Sequence, residues 1–180
     1  MALWDWLVSL PPGAAGFVGT LAGSSFGLIA LLLGALFNAR LNRKRDDRIR
    51  DEEARAIRTA LKAELSGIYD SLVRNADMLE QDPPTGDFTV PDPSHGVRVM
   101  PVALPKLGLL SEATIRQTLD AYVSLDQYAE GLLLMGGQIM ENNREGRVLI
   151  RMPGRRGKAV AEMTRNMAAI LRPVIDALTS

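Results

Sequence analysis

The chain has 180 residues, 47% of them hydrophobic, and its 21 basic side chains balance its 21 acidic ones. It contains no cysteine, which excludes disulfide bonds, thiol catalysis and thiolate metal sites. The charges are unevenly distributed, because no ionisable side chain occurs between Trp6 and Ala39. Two basic regions, 40–58 and 144–172, flank an acidic middle. This length leaves room for one modest domain beyond a membrane segment.

An apolar segment near the N-terminus predicts a transmembrane helix. Residues 14–37 are almost wholly apolar or small, and as a helix they would span about 36 Å, against about 30 Å for the hydrocarbon core of a bilayer. Pro11 and Pro12 precede the segment, where proline is tolerated at a helix start. Trp4 and Trp6 are placed as aromatic anchors at the membrane interface.

The charge asymmetry around this segment predicts its orientation. No Lys or Arg precedes it, whereas six follow by residue 50: Arg40, Arg43, Lys44, Arg45, Arg48 and Arg50. The positive-inside rule therefore predicts that residues 1–13 are extracytoplasmic and that the C-terminal part is cytoplasmic. A cleavable signal peptide would carry positive charge before its apolar region. We therefore expect a retained, single-pass anchor.

Small residues recur along the predicted span and favour self-association. Gly19, Gly23 and Gly27 form a GxxxGxxxG row, and a second row follows alternating steps of four and three: Gly16, Thr20, Gly23, Gly27, Ala30 and Gly34. Such rows let helix backbones approach closely, and in lipid this packing drives association. The alternative is that glycine and alanine are simply common in membrane helices. The predicted packing residues of a homo-oligomer are Gly16, Gly19, Gly23, Gly27 and Gly34.

The segment after the span predicts a long juxtamembrane helix over 38–81. It has no proline and one glycine, and an apolar stripe follows helical spacing: Ala54, Ile57, Leu61, Leu65, Ile68, Leu72, Ala76 and Leu79. Residues 82–110 contain six prolines, a density that forbids a long helix and predicts a connector. Within it, 88–90 and 97–100 are candidates for a small hairpin.

Residues 111–180 predict a helical hairpin. Ser111 is a suitable N-cap for its first helix, which Gly136 and Gly137 weaken but need not end before Asn142. A turn-prone basic link and a last apolar-striped helix follow. With no convincing sheet, the sequence predicts an all-α fold in which three helices form an antiparallel cytoplasmic bundle.

The antiparallel order predicts where the basic link, residues 144–158, lies. If the first helix leads away from the membrane and the second returns, the link lies at the membrane-facing end of the bundle. Each basic charge near anionic headgroups contributes about 1 kcal/mol. The alternative is an ordinary solvated loop. The predicted membrane-surface residues are Arg40, Arg43, Lys44, Arg45, Arg147, Arg151, Arg155 and Arg156.

No motif in the sequence indicates a reaction. His95, the one histidine, has no partner at metal-ligand spacing. The segment 154–158 lacks the GxxxxGK[ST] pattern of a phosphate loop. The basic residues of 144–158 have no aromatic neighbours for base stacking, which counts against a nucleic acid partner. We therefore predict no catalytic residue, metal ligand or cofactor, and we do not expect an enzyme.

One segment is similar to known proteins. The residues Pro-Lys-Leu-Gly-Leu-Leu-Ser at 105–111, followed by Ile115, Leu119 and Tyr122, resemble a group of uncharacterised bacterial and prophage single-pass membrane proteins. These share an Arg-rich juxtamembrane helix and an "LGLL…Y" helical module, and the resemblance covers about half of the chain. It implies a bacterial inner-membrane setting without implying an activity.

Together these features predict a non-enzymatic, membrane-anchored helical scaffold. It would self-associate through its span and offer its cytoplasmic part to a protein partner. A small oligomeric pore or holin-like protein is the alternative.

Overall fold

A computed structural model describes residues 11–142 and 147–179. Within them the α-helices are α1 (Pro12–Gln81), α2 (Val99–Ala103), α3 (Glu112–Leu134) and α4 (Gly157–Ala177), and the strands are β1 (Phe88–Pro91), β2 (Gln138–Asn142) and β3 (Arg147–Met152). The prediction of a mostly helical chain is confirmed. The chain divides into two compact units, unit 1 (Met1–Arg50) and unit 2 (Asp51–Ser180).

The described part of unit 1 consists of the first part of α1. Its side chains are largely exposed, and α1 is the one helix of the described chain that is long and apolar enough to cross a membrane. The helix continues through 38–81, as the absence of proline there predicts, and ends at Gln81 just before Pro83 and Pro84.

Unit 2 is built around one hydrophobic core. From α1 it takes the predicted apolar stripe: Ala54, Ile57, Leu61, Leu65, Leu72 and Ala76 are buried, whereas Ile68 and Leu79 are partly buried. The same core receives Leu125 and Leu132 from α3 and Val160 and Leu171 from α4. Ser111 is the N-cap of α3, as predicted, and its hydroxyl accepts the Thr114 N–H at 3.2 Å.

The expectation of an all-α fold without a sheet is wrong. Three antiparallel strands form a sheet in the order β1-β3-β2. Val90 and Ile139 flank Ile150 from the two sides, and Val90 and Ile150 are both buried. The central strand, β3, lies inside the segment predicted as a loop. The adjacent glycine and proline favour turns, and the sequence pattern of a six-residue strand is too short to outweigh them. Of the predicted hairpin strands, 88–90 is confirmed, whereas 97–100 overlaps α2.

The predicted extension of the second helix towards Asn142 is also wrong. Gly136 has φ of 95°, a left-handed conformation that favours glycine and ends a helix. The N–H groups of Gly136 and Gly137 donate to the carbonyls of Leu133 and Leu132, both at 3.0 Å. These bonds satisfy the last carbonyls of α3, which ends at Leu134 and leads into β2.

The predicted position of the basic link is wrong as well. Lys106 lies 3.4 Å from Glu53, so the connector returns along α1 before α3 begins, and α3 then runs in the same direction as α1. A Cβ on Gly154 would lie 2.6 Å from the Gly86 carbonyl oxygen. The link is therefore at the Gln81 end of unit 2, not at its Asp51 end. The connector is long enough for the chain to run back along α1 before α3 begins. Counting the helices does not reveal this.

Candidate functional sites

The predicted packing face of the span is open in the described chain. Its residues are Gly16, Gly19, Gly23, Gly27 and Gly34, and a Cβ on any of them would meet no atom within 4 Å. Large apolar side chains around them are exposed, among them Phe17, Phe26 and Leu31. In water such a surface would be costly, so this part of α1 requires an apolar environment or a partner.

Two hydroxyl groups of residues 14–37 are bonded within the helix itself. Thr20 Oγ1 donates to the Gly16 carbonyl at 3.0 Å, and Ser25 Oγ donates to the Leu21 carbonyl at 2.8 Å. These i to i−4 bonds satisfy the hydroxyl donors without water. They make the span compatible with lipid on the faces that carry them.

The predicted membrane-surface residues belong to two separate units. Arg40, Arg43, Lys44 and Arg45 are exposed on the part of α1 in unit 1. In unit 2, Arg147 begins β3, and Arg151, Arg155 and Arg156 are exposed in β3 and the turn after it. A membrane role for the second set stays a prediction, and the position of the link at the Gln81 end of unit 2 does not support it.

The structure reveals a partly buried polar junction at Glu64 that the sequence gives no sign of. The Oε1 atom of Glu64 accepts the backbone N–H groups of Arg98 and Val99, the latter at 2.6 Å. Its Oε2 atom accepts the N–H of Met100 at 3.3 Å and the hydroxyl of Tyr122 at 2.6 Å. Burial, followed by the hydrogen bond to this carboxylate, raises the pKa of Tyr122 above its usual range. One carboxylate thus joins α1, α2 and α3.

A second polar group lies beside this junction. Asp92 Oδ1 accepts the N–H of Ser94 at 2.9 Å and its hydroxyl at 2.7 Å. The Oδ2 atom of Asp92 lies 2.8 Å from His95 Nδ1. The Asp92 side chain is 7% exposed, whereas that of His95 is 54% exposed. The aspartate therefore fixes both the turn and the direction of the imidazole ring.

Glu64, Asp92 and His95 line one cleft of about 530 Å³. Its walls are formed by 63–75 of α1 and 91–98 of the connector, with Val148 of β3 contributing as well. No group of three or more metal-ligating side chains occurs among the residues that the structure describes. The cleft is a candidate binding site.

A third polar group fastens α4 to α1. Arg165 donates to Glu80 through Nε at 2.9 Å and Nη2 at 2.7 Å, and its Nη2 also lies 2.8 Å from Asp77. The hydrogen bond from Arg165 is the main cause that lowers the pKa of Glu80. The three residues are about half exposed. We assign this group a structural role.

Comparison with protein-family models, with curated proteins and with solved structures finds no match for this chain.

Proposed function

We propose that the protein is a single-pass anchor in a bacterial inner membrane that self-associates through its span. Its N-terminus would be outside the cell membrane and its C-terminal unit in the cytoplasm, where it acts as a non-enzymatic scaffold for a protein partner. The charge asymmetry around 14–37 supports this orientation. The observation that carries the proposal is the exposed apolar helix with an open row of glycines.

The glycine row supports helix packing for a physical reason. In a bilayer the lipid tails are as apolar as the side chains, so burying an apolar side chain between helices provides little free energy. Helix association therefore depends on close backbone approach and van der Waals contact. Glycine permits this approach but weakens an isolated helix by about 1 kcal/mol each relative to alanine. Five glycines on the predicted packing positions fit a span whose stability is recovered by packing against a second copy.

A small pore is the second candidate function. A conducting path would need polar or ionisable groups facing its lumen, whereas residues 14–37 contain no ionisable side chain. Thr20 and Ser25 direct their hydroxyls to the carbonyls of their own helix. These observations favour a packed span over a channel. Ion flux through liposomes that contain the protein would support the pore.

Self-association can be tested with Gly23→Leu and Gly27→Leu in the full chain. The added side chain would separate the backbones, and because leucine is apolar the helix should still insert. The matched control is Ser25→Leu, about 200° around the helix from Gly23 at 3.6 residues per turn. We expect chemical cross-linking in membranes to give fewer oligomers for both glycine variants, with the control resembling wild type.

Three outcomes would contradict the proposal. Unchanged oligomers in both glycine variants would place association outside the span. Equal loss in Ser25→Leu would mean that the glycine row has no special role. A monomeric wild type at native expression would reject self-association.

A further inference from the structure

We propose that the cleft between α1 and the connector in unit 2 binds a small molecule that carries a phosphate group. The cleft is the one lined by Glu64, Asp92 and His95, and its volume of about 530 Å³ is within the range of about 300–1,000 Å³ typical of small-molecule sites. The site lies outside the apolar span, so this inference does not depend on membrane anchoring or self-association.

The two carboxylates of the cleft are already used by the fold. A carboxylate has about four lone-pair positions. Glu64 accepts four hydrogen bonds, from three backbone N–H groups and from Tyr122. Asp92 is engaged by the backbone and hydroxyl of Ser94 and by His95. Little acceptor capacity therefore remains to attract a cationic ligand.

The groups left with hydrogen-bonding capacity are donors. Arg74 and Arg98 line the cleft, and neither guanidinium makes an ion pair or side-chain hydrogen bond within the part of the chain that the structure describes. The Arg98 contact to Glu64 uses only its backbone N–H. Each guanidinium offers five N–H donors in a planar arrangement that matches phosphate oxygens.

Further donors surround the two arginines. Ser71 supplies a hydroxyl and Asn75 an amide on the same face of α1. Because Nδ1 of His95 faces Asp92, its Nε2 is the ring nitrogen left for a ligand. A phosphate has three terminal oxygens with several acceptor positions each, so it can use this number of donors better than a carboxylate can.

The rest of the cleft wall is apolar and indicates an organic ligand. Ile68 and Leu72 from α1, Pro91 and Pro93 from the connector, and Val148 from β3 contribute to it. Inorganic phosphate would leave this surface uncovered. A phosphate ester with an apolar or aromatic body would gain additional affinity from its burial.

The test is a titration of the detergent-solubilised full chain by calorimetry, at constant ionic strength in chloride. The probes are inorganic phosphate, phenyl phosphate, benzoate and dihexanoyl phosphatidic acid. We expect saturable binding of inorganic phosphate and tighter binding of phenyl phosphate. Arg74→Gln and Arg98→Gln should each weaken phenyl phosphate about tenfold, the loss of one charge-assisted hydrogen bond.

Two variants control for charge and folding. Arg55→Gln removes an exposed arginine of the same helix that does not line the cleft, and its affinity should equal that of wild type. Arg74→Lys keeps the charge but loses the planar donor pattern, so its affinity should lie between those of wild type and Arg74→Gln. Unchanged thermal unfolding in all variants would show that the losses are local.

The probes also identify the source of the phosphate. Tighter binding of the phosphatidic acid, with displacement of phenyl phosphate, would support a lipid headgroup as the source, whereas stronger binding of phenyl phosphate would support a soluble ester. Benzoate binding as tightly as phenyl phosphate would overturn the phosphate assignment. Absence of saturable phosphate binding to the wild type, or an equal loss in Arg55→Gln, would overturn the proposal altogether.

Discussion

Tyr122 donates a hydrogen bond of 2.6 Å to Glu64 although the two residues are 58 positions apart in the chain. The same carboxylate accepts the N–H groups of Arg98, Val99 and Met100. The first N–H groups of a helix lack partners within the helix, and here Glu64 supplies one at the start of α2. One side chain of α1 thus makes hydrogen bonds both to the start of α2 and to α3.

This junction predicts a graded loss of stability. Tyr122→Phe removes one of four donors to Glu64, and we expect the free energy of unfolding to fall by about 1–2 kcal/mol. Glu64→Gln should cost more, about 2–4 kcal/mol, because an amide nitrogen would then face donors that need an acceptor. Chemical unfolding of the full chain in detergent, followed by circular dichroism, measures both.

The control for this series is Glu112→Gln. Glu112 has a side chain that is 90% exposed, and among the described residues it pairs only with Arg116 on its own helix. Its loss should change the free energy of unfolding by less than about 0.5 kcal/mol. A Glu64→Gln protein as stable as this control would contradict the role given to the junction.

Two buried threonines predict opposite effects of the same substitution. Thr118 and Thr164 are both 0% exposed, but Thr118 Oγ1 has no hydrogen-bond partner among the described residues. Thr118→Val should stabilise the protein by about 1 kcal/mol, because it removes an unsatisfied buried hydroxyl. Thr164 bonds to Tyr128 at 2.8 Å and to the Val160 carbonyl at 2.7 Å. Thr164→Val should therefore destabilise it by about 1–3 kcal/mol.

The hydrogen bond between Thr164 and Tyr128 can also be tested by spectroscopy, through the pKa of Tyr128. Burial chiefly raises the pKa of Tyr128 to about 12, and the hydrogen bond with Thr164 opposes that rise. Thr164→Val should therefore move the Tyr128 pKa higher still, whereas Thr118→Val should leave it unchanged. Ultraviolet titration of the tyrosines checks this, and an unmoved Tyr128 in Thr164→Val would count against the contact.

The pairing of Arg165 with Glu80 predicts that the stability of the folded protein depends on pH. The folded state lowers the pKa of Glu80 from its ordinary value of 4.5. A lowered folded pKa stabilises the protein above the unfolded value, and this contribution is lost as pH falls through the folded value. The difference in melting temperature between wild type and Arg165→Gln should be largest near neutral pH and shrink below pH 4.5.

Glu80→Gln serves as the control for this titration. It removes the titrating group, so adding Arg165→Gln to it should give a smaller change with a weaker dependence on pH. Asp77 also contacts Arg165 and accounts for what remains. A constant difference between wild type and Arg165→Gln from neutral to acidic pH would contradict the linkage.

The charge distribution predicts the orientation of the span in the membrane. A fluorescent reporter fused after Ser180 should fold in the cytoplasm, and a phosphatase reporter at the same position should be inactive. Glutamine at four positions should weaken this preference: Arg40, Arg43, Lys44 and Arg45. The same change at Arg151, Arg155 and Arg156 should not, because orientation depends on charges within about 15–20 residues of a span. Phosphatase activity in the wild-type fusion would show the opposite orientation and would contradict the proposal of a cytoplasmic partner.

The helices could be predicted from the sequence because their signals are local. The proline-free stripe from Ala54 to Leu79 repeats at helical spacing, and Ser111 caps the helix that follows it. The apolar composition of 14–37 likewise predicts a segment suited to a membrane by length and hydrophobicity alone. Each of these features is decided by residues within a few turns of one another.

The sheet, the Glu64 junction and the cleft were decided only by the tertiary structure. β1 pairs with β3 across more than fifty residues of intervening chain, and neither strand is long enough to indicate its partner. Glu64 occupies a polar position in an amphipathic helix, and nothing near it in sequence distinguishes it from its solvated neighbours. Its partners reach it only because the connector returns along α1 before α3 begins. The sequence by itself therefore determined where the three long helices lie and which segment is long and apolar enough to span a membrane. Which polar groups meet, and so where a ligand could bind, depended on contacts between distant segments whose register no local pattern specifies.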